Sequence, residues 1–274
     1  VLTGIGANAL TISSNTTISS NKKYSEDVTI NSGQTLTVDE NKTLTIDGTL
    51  TINGTLKMKS GSTLIVRNAT AENALIVKGT LDAATTGVTI IVTGNMAING
   101  GSGNVSIGKT NDATGTTLIV EGNLTFTSNG TLSTHVSTVV VKGRVSGSGS
   151  VSLSKSTKMA VLGDGSDVSR LTFTSDNSDT DDISNQLYSE TTGVYIKRSG
   201  SGKGGGSGSS SVSASTSKES AAYVQATSAL NSYANLLPIE LTAFQVFKTH
   251  EQYVFNWVTA SEVNNDYFTL EYSE

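Results

Sequence analysis

Two histidines, four arginines and two short acidic loops are the main groups in this chain that could do acid, base or metal chemistry. The loop DGSDVSR offers Asp164 and Asp167, and SDNSDTDD offers Asp176, Asp179, Asp181 and Asp182. Carboxylates so closely spaced supply the oxygen ligands that calcium prefers. Neither loop has the twelve-residue pattern of a helix-flanked calcium loop, so the second one is only a candidate corner site for that ion. No other cofactor is expected. His135, in STHVSTVV, is expected at a strand start and His250 in a hairpin turn, and neither has a partner that would make it a general base. A β-helix that cleaves acidic polysaccharides would gather carboxylates, a basic residue and aromatic platforms along one groove. Here Arg67, Arg144, Arg170 and Arg198 are scattered, and few aromatics precede Tyr188. The run SGSGKGGGSG contains Lys203, but Gly204 follows it where a phosphate loop needs Ser or Thr. The absence of cysteine excludes disulfides, thiolate metal sites and a cysteine nucleophile. An enzyme is therefore not the expected reading.

Composition points the same way. The 274 residues include 28 Gly but one Pro and one Trp, with aromatics at 5% and charged residues at 15%. A net charge of -5 and no dense Lys or Arg cluster argue against nucleic acid or an anionic membrane as partner. No run approaches the roughly 20 apolar residues that span a bilayer, so membrane insertion is not expected. The amino terminus VLTGIGANAL lacks the basic start and apolar core of a signal peptide.

The elements that must position any site are announced by the stretch QTLTVDENKTLTIDGTLTINGTLKMKSGSTLIV, residues 34–66. Leu36 and Val38, Leu44 and Ile46, Leu50 and Ile52, and Leu56 and Met58 alternate with Thr or Lys, the period of a half-buried strand. Asn, Asp and Gly between the phrases tolerate the positive φ angles of tight corners. If three phrases make one triangular coil, Val28 stacks on Leu50 at a separation of 22, and Leu36 on Leu56 and Leu44 on Leu64 at 20. This near-constant separation predicts a parallel β-solenoid with about 20 residues per coil. Later segments ALIVKG, TIIVTG, TLIVEG, TVVVKG and KMAVLGDG keep the theme, with GGSGNVSIGKTNDATG inserted. From Tyr24 to Phe173 this predicts roughly seven coils at about 4.8 Å each, near 35 Å in all. The pattern resembles the Gly-, Thr- and Asn-rich β-helices of bacterial surface adhesins.

Outward Thr-x-Thr pairs invite an ice-binding reading, because a flat hydroxyl array can order water. The register opposes it. Thr35 and Thr37, Thr43 and Thr45, and Thr49 and Thr51 fall on three different sides, and the next coil brings Lys57 and Ile65 into two of them. No side is expected to carry an unbroken array, and Thr serves here as a strand former.

Residues 1–197 are thus expected to form the solenoid with its caps, the last from QLYSETTGVYIKRS through Tyr188, Val194 and Ile196. Residues 198–217 have the Gly/Ser composition of a linker. Over 218–237, Thr216 and Glu219 have capping-box spacing, and Ala226, Leu230, Tyr233 and Leu237 follow at helical intervals, predicting a short helix. Residues 238–274 read as three alternating strands, Ile239 to Phe247, Tyr253 to Thr259 and Tyr267 to Tyr272, too few for a complete sandwich.

That last segment carries LPIEL (from Leu237), WVTASE (Trp257 to Glu262) and NNDYF (Asn264 to Phe268). Over about 38 residues it resembles the juncture module near the carboxyl end of secreted Bacteroidota proteins of the type IX secretion kind. The resemblance implies a fibronectin-like β-sandwich, here incomplete, together with export and surface display. The expected function is a secreted, non-enzymatic structural protein at the cell surface or outside it. It would build a filament, sheath or adhesive layer from copies of itself by solenoid stacking or strand complementation. Phe244, Phe255, Trp257 and Phe268 are its candidate assembly interface. The rivals are a carbohydrate-binding or polysaccharide-cleaving β-helix, with surface glycans as partners, and an ice-binding solenoid. Limited proteolysis should cut first between Ser199 and Ser217, where few apolar residues anchor the backbone; resistance throughout that segment would show the glycine run to be packed.

Overall fold

The computed structural model describes residues 9–101, 103–110, 114–154, 157–161, 170–174, 187–189, 194–196, 212–214, 241–249 and 252–259. The chain divides into two compact units, Val1–Thr227 and Ser228–Glu274. The first is an all-β parallel solenoid of about six turns, with no helix among the described residues. The three stackings read from the sequence are present: Val28 pairs with Leu50, Leu36 with Leu56 and Leu44 with Leu64, all in parallel register. Two expectations need correction. The solenoid strands begin at Leu10, ahead of Tyr24. The turns number about six rather than seven, because coils lengthen where loops are inserted: Leu50 pairs with Leu75, 25 residues on, and Met96 with Leu124, 28 residues on.

Each coil contributes one strand to each of three faces. The first face begins with Leu10–Ile12, Val28–Ile30 and Leu50–Ile52. The second begins with Thr16–Ile18, Thr35–Val38 and Thr55–Met58, and the third with Lys22–Tyr24, Thr43–Ile46 and Thr63–Val66. Leu36, Leu44, Leu50, Leu56, Leu64, Leu75 and Leu81 are fully buried in one continuous core with their neighbours along the axis. Burying each such side chain contributes roughly 1.5–3 kcal/mol. No coil could bury its inner side alone, since the apolar partners lie above and below it.

Corners are held by backbone and amide contacts between coils. Asn15 Oδ1 accepts from the Thr35 amide at 2.9 Å, Asn21 Oδ1 from the Thr43 amide at 3.0 Å, and Asp27 Oδ1 from the Thr49 amide at 2.7 Å. The three corners of the first coil are thereby tied to the second. Between the first and second faces the backbone itself stacks: the Thr80 amide donates to Gly54 O at 2.8 Å, and a Cβ on Gly79 would collide with that same oxygen. Only glycine fits there. Ion pairs also step from coil to coil, Lys23 to Asp47 at 2.6 Å, Lys59 to Asp39 at 2.7 Å and Lys142 to Glu121 at 2.6 Å. The hydrogen bond that the Lys59 ammonium donates to Asp39, together with that carboxylate's charge, holds its pKa above the ordinary value. These pairs are largely solvated and individually worth little.

In the later coils the first corner opens out. The strand Leu124–His135 runs through both the first and second faces and pairs with Val145–Ser154, with a register shift between Phe126 and Gly130. Ser128 and Asn129, at φ 48° and 71°, turn the chain there. His135 therefore ends a strand rather than starting one, because the corner follows it at Val136 (φ 40°). Beyond these coils, Leu187–Ser189 adds a parallel strand to Lys158–Val161 and an antiparallel one, Val194–Ile196, follows it. Val212–Ala214, inside the segment expected to be linker, pairs antiparallel with Val194–Ile196.

The second unit is described as one hairpin, Leu241–Thr249 antiparallel to Gln252–Thr259. Its first strand runs two residues past the expected end, because Lys248 and Thr249 still find partners in Tyr253 and Gln252. The helix expected at 218–237 and the third strand at Tyr267 to Tyr272 lie outside the described residues.

Leu50 is fully buried and points inward, while its neighbour Thr51 is half-exposed and points outward. Leu50→Asp should cost about 3–5 kcal/mol by leaving an unpaired charge between coils. Thr51→Asp should stay within about 0.5 kcal/mol of the parent. Thermal unfolding of the two variants checks this, and equal losses would contradict the inward and outward assignment.

Candidate functional surfaces

The outward positions differ from face to face. On the third face the central outward row is Ile65, Ile91, Ile119 and Val140, which alternate with core residues such as Leu64 and Val66. These four are only 7%, 1%, 1% and 0% exposed. Along this row the face is apolar outside as well as inside from Ile65 onward, the signature of the runs TLIV, TIIV and TVVV, whereas the row begins with Lys23 and Thr45 and the outward row beside it is an unbroken series of Thr43, Thr63, Thr89, Thr117 and Thr138. The first face is mixed, with Thr29, Thr51, Ile76, Ala97 and Thr125 in one row.

The second face is polar throughout. One outward row runs Thr35, Thr55, Thr80, Asn104, Thr131 and Ser150. The row beside it runs Thr37, Lys57, Asp82, Ser106, Ser133 and Ser152. Where the sequence predicts no unbroken array, the first of these rows is an unbroken series of small hydroxyl and amide side chains. The segment 100–115, expected as an insertion, itself supplies the strand Asn104–Ile107, which carries the row on from Thr80 to Thr131. The second row is interrupted, as expected, by Lys57 and Asp82. Near its far end the face adjoins a notch of about 480 Å³ lined by Gly101, Gly103, Asn104, Ser128, Asn129 and Thr131. Asn104 Oδ1 accepts from Thr131 Oγ1 at 2.9 Å there. These lining residues present hydroxyl and amide groups and, at the two glycines, bare backbone.

The candidate assembly residues fall on the hairpin. Phe244 sits opposite Trp257 and Val246 opposite Phe255, with Lys248 opposite Tyr253, so these six positions share one face. Phe244 is 52% exposed, Val246 48%, Tyr253 59% and Phe255 39%. The Phe244 and Phe255 rings meet diagonally with centroids 6.3 Å apart, and Lys248 Nζ lies 5.4 Å from the Tyr253 ring centroid. The opposite face carries the exposed polar Gln245 and Asn256, along with Val258. Phe268, the fourth predicted interface residue, lies outside the described residues. Val246 and Tyr253 belong to the face and were missed; the alternation that found Phe244 and Phe255 could have found them had it not been restricted to the largest rings.

Asp164, Asp167, Asp176, Asp179, Asp181, Asp182 and His250 lie outside the described residues. Among the described residues no three His, Cys, Asp or Glu side chains gather as a metal-binding group. His135 has its Nδ1 enclosed without a hydrogen-bond partner in the structure. No described helix is long and apolar enough to cross a membrane. Neither a family model, nor a curated protein, nor a solved structure matches this chain.

Proposed function

We propose that this chain is a secreted, non-enzymatic structural protein of the bacterial cell surface, whose solenoid displays an association module. The juncture-module motifs LPIEL, WVTASE and NNDYF support export and surface display. The observation that carries the reading is the exposed apolar face of the hairpin, formed by Phe244, Val246, Tyr253 and Phe255 around the Trp257 position. Two strands alone are marginal in water, and an apolar face of this kind is ordinarily covered. Copies of the same chain are its partners. The hairpin's two strands also have outer edges to which a further strand can add, so main-chain pairing and apolar contact act together. A contact between unlike surfaces of identical molecules need not close, and it then propagates as a filament or layer.

The hydroxyl and amide row on the second face supports a second reading, a surface that orders water or meets a neutral glycan. Lys57 and Asp82 stand against a lattice match there, since long charged groups interrupt the flat array. Ice binding is accordingly the weaker account, and the self-associating structural protein the stronger.

Replacing Val246 and Phe255 together by Asp should abolish concentration-dependent association of the full-length protein in sedimentation velocity. The solenoid's thermal transition should stay within a few degrees of the parent, because neither residue belongs to its core. Unchanged association in that variant would move assembly away from the hairpin.

A further inference from the structure

The middle outward row of the third face runs Lys23, Thr45, Ile65, Ile91, Ile119 and Val140. Lys23 is exposed and Thr45 half-buried, and exposure then falls from 7% at Ile65 to 0% at Val140. Neighbours within the sheet do not account for this. Ile76, outward on the first face between Thr51 and Ala97, has similar surroundings and stays half-buried. A loop reaching in from a corner would cover the flanks first, yet Thr89 and Thr93, two residues to either side of Ile91, are only half-buried. The other two faces lie on the inner side of these strands. A cover therefore lies along the row from outside, and it is most complete toward the carboxyl-terminal coils.

The sheet of the third face continues past Ser137–Val141 through Lys158–Val161, Leu187–Ser189 and Val194–Ile196 to Val212–Ala214. Ala214 thus stands four strand spacings, about 19 Å, from the strand of Val140. Six residues of extended chain span that distance. We infer that the aliphatic row is the docking groove for the chain's own residues 215–227, which lie outside the described residues. Residues 215–220 make the reach, and Ala221, Ala222, Tyr223 and Val224 seat on Val140, Ile119 and Ile91, a further stretch of about 10 Å. The other longer segments of this unit outside the described residues are unsuited to the row. Residues 162–169 and 175–186 are acidic, and their carboxylates would lose water against aliphatic side chains; 197–211 consists of Gly, Ser, Lys and Arg. Residues 1–8 adjoin the first coil, where the row is open. The groove is rimmed by Thr89, Thr117 and Thr138 on one side and by the ion pair of Lys142 with Glu121, at 2.6 Å, on the other. A segment with Ala, Tyr and Val to bury and Ser220, Gln225 and Thr227 to leave at the rim matches it. Once docked, it keeps the row out of water and out of contact with other chains.

The chain has no cysteine, so a single introduced thiol reports its own exposure. In the full-length protein, Ile119→Cys should react with a maleimide at least about 10-fold more slowly than Ile76→Cys on the first face. Adding Tyr223→Asp and Val224→Asp should raise the Ile119→Cys rate to that of Ile76→Cys and leave the latter unchanged. Circular dichroism reports whether each variant folds; Val140→Cys replaces Ile119→Cys, and Tyr223→Asp alone replaces the pair, where one does not. A thiol at position 119 that reacts as fast as Ile76→Cys without the aspartates would overturn the inference. So would one that stays slow with them, since another segment would then be the cover. Protection that falls on dilution would put the segment of a second copy in the groove and overturn the contact within one chain.

Discussion

Everything in the solenoid depends on one constraint, that an inward aliphatic residue of each coil must lie directly over its counterpart in the next. Val28 over Leu50, Leu36 over Leu56 and Leu44 over Leu64 satisfy it on three faces at once. The same register aligns the backbone amides and carbonyls, so apolar burial and ladder hydrogen bonding are gained together. Length is then free to vary only between strands. The 28-residue step from Met96 to Leu124 leaves the column intact while its extra residues leave the coil as loop. The corners carry the cost of this freedom, which is why Gly54 and Gly79 approach so closely that no side chain fits between them.

With the inner side fixed, the outer side became available for different work on each face. The third face put an aliphatic row outside, with Ile91 and Val140 sealed from solvent, beside a row of threonines from Thr43 to Thr138. The second face put hydroxyls and amides outside, with Lys57 and Asp82 the charged exceptions among the coils that follow Thr35. On the hairpin, Phe244, Val246, Tyr253 and Phe255 are exposed on one face, and Val258 is exposed with Gln245 and Asn256 on the other.

The stacking separation was legible in the sequence because Leu recurs at 20 to 22 residues between Val28 and Leu64, where no loop intervenes. It faded once loops entered, and with it the count of turns. The outward row of the second face is hidden in the sequence beyond Thr55, since Asn104 belongs to the strand Asn104–Ile107 inside GGSGNVSIGKTNDATG, whose Gly and polar residues read as an insertion. The covered row of the third face was written openly in TLIV and TIIV, but alternation alone treats such runs as ambiguous. On the hairpin, Phe244, Phe255 and Trp257 were recognised as one face because antiparallel pairing preserves parity, as the register shows.

Hydrogen–deuterium exchange of the unmodified protein, followed peptide by peptide as its concentration is raised, locates the contact on which this account turns. The account predicts that amides of Leu241–Thr249 and Gln252–Thr259 gain protection with concentration, while the already slow strands between Val28 and Val141 do not change. A hairpin that exchanges identically at every concentration, or protection gained on the solenoid faces instead, would contradict it.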